Sequence, residues 1–160
     1  VSERRAGTVL VGLGNTYRRD DGVGPAVAAA LERLGLPDVV VASGIADPMG
    51  LVEAWSGAGL AIVIDAAVAD AAAPPRPGRI RRCGLDDVRA GRGGLSSHAV
   101  DVGHSHELAA ALGRAPGELV IFAIEVADTG HGTGLTPQVS RAVPEAVRLV
   151  VREIGGRATD

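Results

Sequence analysis

Four short runs of aliphatic, largely β-branched residues, Val9–Leu13, Val39–Ala42, Leu60–Ile64 and Leu119–Ile124, recur along the chain with helix-period segments between them. Such runs are too short for helices and too continuously apolar for a sheet with one wet face, so they read as strands buried on both sides. Parallel strands require crossovers, and the intervening segments supply them. The first places Val23, Val27, Leu31 and Leu34 on one stripe. The second opens at "DPMGLVEAW", with Asp47 as cap and Pro48 in the first turn. The last opens at "TPQ", with Thr136 as cap, and carries Val139, Val143, Val147, Val150, Val151 and Ile154 on one face; Pro144 is expected to bend it. Asp101–Leu112 is a weaker helix because Gly103 lowers its propensity. "GRIRRC", Gly78–Cys83, reads as a solvated edge strand rather than a basic patch. The pattern predicts an α/β fold in three layers: a mostly parallel, twisted sheet of about five strands with helices on both faces, residues 1–160 forming a single domain.

Right-handed crossovers with both faces covered put strand two on one side of strand one and strand three on the other. The carboxyl ends of strands one and three then flank a topological switch point, the crevice where such sheets hold ligands. Asp20 and Asp21 follow strand one, and Asp65 sits at the end of strand three. A dinucleotide would need G-x-G-x-x-G opening a helix, but only Gly12 and Gly14 match. Tyr17 holds the third glycine position, no acid ends strand two near Ala42, and two negative charges stand where a pyrophosphate would lie.

The acids suit a cation instead, and an imidazole beside them would add affinity for zinc, nickel or a similar ion. His98 lies in "LSSHAVD", His104 and His106 in "GHSHEL", and His131 in "TGHGTG". His104 and His106, two apart on a helix, face different directions and read as surface residues, and His131 in its glycine-rich loop reads as exposed. A structural role competes with a ligand role for His98, as does an N-cap on the helix beginning near Gly22 for Asp21. Asp65 favours function, because a carboxylate directly after a buried strand is costly unless it faces a cleft.

Composition removes several alternatives. Sixteen basic residues, all Arg, stand against nineteen acids for a net charge of -3, which leaves no cationic footprint for nucleic acid. One Trp, one Tyr and one Phe leave little base-stacking surface. The single Cys83 excludes an internal disulfide and a Cys-rich metal knuckle and fits a reducing cytoplasm. No signal-like or membrane-length apolar run occurs, so neither membrane nor export is expected. A Cys83–His98 nucleophilic pair is conceivable, but no oxyanion-hole motif accompanies it, and no G-x-S-x-G marks a serine hydrolase.

Four blocks in order, "VGLGNTYRRDDGVG", "VIDA", "LSSHAVDVGHSHELAAALG", and "IFAIEV" followed by "GTGLTPQVSRAVPEAV", span nearly the whole chain. They resemble the G-x-G-N…D-[DE]-x-x-G opening, second acidic block, S-x-H block and closing segment of the hydrogenase maturation proteases. These endopeptidases trim the large subunit of nickel–iron hydrogenases. The resemblance implies that Asp21, Asp65 and His98 contact nickel and form the catalytic centre. It also implies that the nickel arrives with the substrate rather than being permanently bound, and that the reaction removes a C-terminal extension from the large-subunit precursor after nickel insertion. Two departures stand out: family members often carry Glu where this chain has the shorter Asp21, and Pro where it has Val126. The opening "VGLGN" is also similar to that of peptidyl-tRNA hydrolases, but those continue with Pro-Gly and later Arg-His-Asn, whereas this chain has Thr16-Tyr17 and Arg19-Asp20-Asp21. A non-catalytic metal-sensing scaffold would keep the three residues yet cut nothing.

Overall fold

The computed structural model describes residues 7–69, 73–90 and 101–157. Five strands, β1 (Thr8–Gly12), β2 (Val39–Ala42), β3 (Leu60–Ala67), β4 (Ile80–Gly84) and β5 (Glu118–Glu125), form one sheet in the order β2-β1-β3-β5-β4. The first, second, third and fifth run parallel, and β4 is an antiparallel edge. The chain therefore reverses its direction of travel across the sheet between β1 and β3, where the switch point was expected. Position explains composition: β3 lies in the middle and is buried from Leu60 to Ala67, whereas Val40 on the edge strand β2 is exposed.

Helices α1 (Val23–Arg33) and α5 (Pro137–Arg157) cover one face, and α2 (Pro48–Trp55), α3 (Leu85–Arg89) and α4 (Val102–Ala111) lie on the other. Strand alternation divides the core accordingly. Ile62 and Ile64 of β3 pack with Leu10, Val27, Val139 and Val150 on the α1/α5 side. Ala61 and Val63 pack with Val9, Leu51, Trp55 and Val102 on the other. No helix among the described residues is long and apolar enough to cross a membrane.

Several local expectations change. β3 continues beyond Ile64 because β5 still pairs with it there: Asp65 lies opposite Ala123, and Ala67 opposite Glu125. Asp65 is thus inside the strand, one step past Ile64, which pairs with the last residue of β1, Gly12. The connection after Gly84 begins with α3, whose Asp87 carboxylate accepts the Gly84 N–H at 2.9 Å. Asp47 caps α2 as expected, accepting from the Gly50 N–H at 2.8 Å. Thr136 does precede α5, but its hydroxyl donates to Asp20 instead, and the helix continues through Pro144.

Candidate active site

Among the described residues, the buried charged side chains are Asp20, Asp21, Asp65 and Glu125. All four gather at one end of the sheet. Asp20 and Asp21 lie in the one-turn 3-10 helix Arg19–Gly22 that follows β1, Asp65 lies near the end of β3, and Glu125 closes β5. Sequestering carboxylates together is unfavourable unless hydrogen bonds or cations meet them, so their collection at the carboxyl ends of parallel strands marks the crevice as the polar centre of the fold.

Glycine is what allows the turn carrying Asp21 to sit against the sheet. A Cβ on Gly24 would fall 2.3 Å from the Leu13 carbonyl oxygen and 2.5 Å from that of Ile64, so the start of α1 packs backbone to backbone on the ends of β1 and β3. Gly14, at φ +141°, would place a Cβ 1.9 Å from the Asp21 carbonyl oxygen. Gly14, from the turn that resembles a phosphate-binding loop, and Gly24 at the start of α1 therefore bring an acidic turn close to β3. Asp21 is 2% exposed and its Oδ2 accepts the Asn15 N–H at 2.8 Å. It does not cap α1: that position belongs to Gly22, with no side-chain cap. Asp65 is 1% exposed, and its Oδ1 accepts the Ala66 N–H at 2.8 Å.

Asp20 does different work. Its Oδ2 accepts from the N–H groups of Ala127 and Asp128 at 2.9 and 3.0 Å and from the Thr136 hydroxyl at 2.8 Å, while Oδ1 accepts from the Thr136 N–H at 2.7 Å. Burial is the largest single influence on this carboxyl and raises its pKa. The Thr136, Asp128 and Ala127 N–H groups and the Thr136 hydroxyl together outweigh it and hold Asp20 below the ordinary aspartate value. Asp20 thereby ties the segment 127–136 to the β1 loop. Backbone bonds continue the tie: Arg19 N–H to Gly132 O at 3.0 Å, Gly132 N–H to Tyr17 O at 3.0 Å, and Asp20 N–H to Asp128 O at 2.9 Å.

Glu125 escaped the sequence reading although the signal was the one used for Asp65, an acid closing a buried apolar run. It accepts the Arg76 N–H and lies 4.0 Å from the Arg81 guanidinium, anchoring the segment that leads from β3 toward β4. Asp20 was placed in the right loop, but its clamp could not be read from sequence because its donors are more than a hundred residues away.

The histidines separate. His98 lies outside the described residues, and among the described residues no group of three His, Cys, Asp or Glu is placed to hold a metal ion. His104 and His131 are exposed, as expected. His106 is not a surface residue: it is half-buried edge-on against Trp55, with ring centroids 6.2 Å apart. Burial, and then the Arg89 charge, push its pKa down. Cys83 is buried in the core on the α2/α4 side. Its thiol pKa is raised, first by burial and then by Asp87, which disfavours the thiolate a nucleophile needs, while the other member of the conceivable pair, His98, lies outside the described residues.

Comparisons with known proteins bear on the fold and the family. Among the solved structures the chain resembles are the following three. The hydrogenase maturating endopeptidase HybD from E. coli has TM-score 0.81 and 20% identity, over 94% of this chain and 93% of that one. An endopeptidase from Escherichia coli has TM-score 0.77 and 23% identity, over 90% and 89%. The NiFe hydrogenase maturation protease HybD from Thermococcus kodakarensis has TM-score 0.75 and 22% identity, over 92% and 99%. A comparison with curated proteins gives no match. The sequence model of the hydrogenase maturation proteases matches residues 25–153, a span that contains Asp65 and His98 and begins just after Asp21. With that match over most of its length, and the α/β fold shared with HybD, the chain belongs to the hydrogenase maturation protease family.

Proposed function

We propose that this protein is an endopeptidase that removes the C-terminal extension of a nickel–iron hydrogenase large-subunit precursor once nickel has been inserted, with Asp21, Asp65 and His98 contacting the nickel. The observation that carries this reading is the placement of Asp21 and Asp65. Both are buried and sit at the carboxyl ends of β1 and β3, on either side of the switch point. Two carboxylates and an imidazole suit a borderline divalent ion, but they make an open site without thiolate and hold such an ion weakly. Nickel therefore belongs to the substrate: cysteine thiolates of the precursor supply most of its affinity, and the three protease residues complete its coordination. Bound there, nickel marks a precursor as ready to be cut.

The chain's own contributions follow from its geometry. The Asn15 N–H orients one oxygen of Asp21, the Ala66 N–H orients one oxygen of Asp65, and the packing of Gly24 on β1 and β3 fixes the turn that carries Asp21 against the strand that carries Asp65. A site organised in this way meets the metal without reordering its backbone. Cleavage takes place in the cytoplasm, the compartment that the lone cysteine fits.

The test is a timed incubation of the protein with nickel-loaded and nickel-free large-subunit precursor, read by mass. The loaded precursor should lose its C-terminal peptide, and the nickel-free precursor should resist even excess protein. Equal cleavage of both would refute gating by nickel, and cleavage of neither would refute the protease reading.

A further inference from the structure

The segment "RPGR", Arg76–Arg79, dictates its own geometry. Proline presets the first central position of a type II turn, and glycine takes the positive φ of the second without strain. Gly78 stands at φ +91°, and the Arg79 N–H closes the turn on the Arg76 carbonyl at 3.0 Å. Such a turn brings its first and last Cα atoms within about 7 Å, so Arg76 and Arg79 carry their charges from neighbouring points. The turn is firmly seated. A Cβ on Gly78 would fall 2.8 Å from the Gln138 carbonyl oxygen in the first turn of α5, the Gly78 N–H donates to the Glu125 carbonyl at 2.8 Å, and the Glu125 N–H donates to the Arg79 carbonyl at 2.9 Å.

Two like charges held this close repel each other unless an anion meets them. Glu125 does not serve both, because its carboxylate accepts the Arg76 main-chain N–H and has the Arg81 guanidinium 4.0 Å away to answer its charge. Among the described residues neither Arg76 nor Arg79 forms an ion pair, and the buried Nε of Arg79 has no hydrogen-bond partner. An orphaned buried donor is costly and points to a missing acceptor. Arg76, Pro77, Gly78 and Arg79 line an open hollow of about 550 Å³. Guanidinium groups present a planar fork of donors that matches a carboxylate.

We propose that the hollow of the Arg76–Arg79 turn binds a carboxylate of the precursor's C-terminal extension and so helps to select the chain that is cut. This inference deepens the protease reading above and rests on it. Glu125, to which the turn is bonded, pairs with Ala67, two residues beyond Asp65 on β3. Strand spacing and rise put the Glu125 Cα about 8 Å from that of Asp65. An extended chain advances about 3.3 Å per residue, so a carboxylate a few residues from the bond at the crevice comes within reach of the two arginines. The buried acids of the crevice repel such a group, and the turn gives it a place beside them. A peptide carries carboxylates rather than phosphates, which sets the class of ligand.

Two measurements test the site. The first needs no cleavage: arginine Nε–Hε resonances are followed while acetyl-tetraglutamate amide, acetyl-tetraglutamine amide or inorganic phosphate is added. Arg76 and Arg79 should shift saturably with the glutamate peptide and stay in place with the glutamine peptide. No shift, or equal shifts with both peptides, would overturn the site, and saturation by phosphate at a lower concentration than by the glutamate peptide would overturn its carboxylate class. The second compares steady-state cleavage of nickel-loaded precursor by the wild type, by Arg76→Gln, Arg79→Gln, and by Arg148→Gln, Arg152→Gln, which removes the same charge from the C-terminal half of α5. The turn variant should raise KM roughly 10-fold at low salt with kcat within about twofold of wild type, and the rise should shrink at about 0.5 M salt. The control pair should keep the wild-type KM. One altered precursor, with amides in place of the acids of its extension, and another, ending in a carboxamide, separate a side-chain carboxylate from the terminal one. The wild type should cut whichever lacks the ligand with the KM of the turn variant. An unchanged KM in the turn variant, or for both altered precursors, would overturn the site while leaving the protease reading intact. If the wild type cuts no loaded precursor, the protease reading fails, and the resonance titration still decides the carboxylate site.

Discussion

The two faces of the sheet are built from the same strands and yet carry different kinds of residue. On the α1/α5 side the buried cluster is hydrocarbon throughout, with Leu10, Val27, Ile62, Ile64, Phe122 and Val150 closely packed. On the α2/α4 side, strand alternation places Asp65 in line with Ala61 and Val63, and Glu125 in line with Ile121 and Ala123. Trp55 meets His106 on this side as well. One residue along β3 therefore separates a hydrocarbon side chain of the core from a buried carboxylate. An apolar face needs nothing but volume and shape. A face with buried carboxylates is stable only where hydrogen bonds, the end of the sheet or a ligand meets them.

The sharpest test of this contrast substitutes two adjacent residues. Asp65→Asn should reduce processing of nickel-loaded precursor by at least about 100-fold, because the amide keeps the volume and loses the charge. Its chemical-denaturation stability should stay within about 1 kcal/mol of wild type. Ile64→Ala, facing the opposite way and fully buried, should lose about 2–5 kcal/mol of stability while the folded fraction still cuts. A normal cleavage rate in Asp65→Asn would make Asp65 structural and erase the distinction between the faces.

A smaller effect concerns the acid that belongs with neither face. Asp20→Ala leaves the Ala127, Asp128 and Thr136 N–H groups and the Thr136 hydroxyl without their acceptor. The expected loss is about 2–4 kcal/mol in a denaturant titration, and Asp20→Asn, which keeps one acceptor oxygen, should lose less. If hydrogen exchange showed the Asp128 and Thr136 amides as protected in Asp20→Ala as in wild type, the carboxylate would not be what holds segment 127–136.

The smallest effect belongs to His106. Its pKa in the folded state is pushed below the ordinary histidine value of 6.5, so as pH falls the unfolded chain takes up the proton first. The stability it contributes is complete above that value and is lost as pH drops toward the lowered folded value. The melting temperature should therefore decline modestly from pH 7 to pH 5, and His106→Leu should flatten part of that decline. An unaltered slope in the variant would show that the imidazole takes up its proton equally in the folded and unfolded states over this range.

Much of the fold was legible because its signals are local. The apolar runs fixed four strands, the Asp47-Pro48 pair fixed the start of α2, and the Arg-rich segment proved to be the antiparallel edge strand β4. The switch point followed from handedness and the covering of both faces, which are general properties of such chains. What escaped were relations between distant residues. Nothing near Thr136 in sequence shows that its hydroxyl leaves the helix cap for Asp20, and nothing near His106 shows that Trp55 lies against its ring.

The sequence by itself determined that acids and not a phosphate-binding surface follow β1, that an acid closes the apolar run of β3, and that the strands are apolar enough to be buried and parallel. Only the tertiary structure decided which of two neighbouring aspartates serves the fold. Asp20 and Asp21 are chemically identical and adjacent, so no local propensity distinguishes them. The difference arises because segment 127–136, arriving from the end of β5, brings three N–H groups and a hydroxyl to Asp20, while the Gly14 turn and the close packing of Gly24 hold Asp21 beside the end of β3.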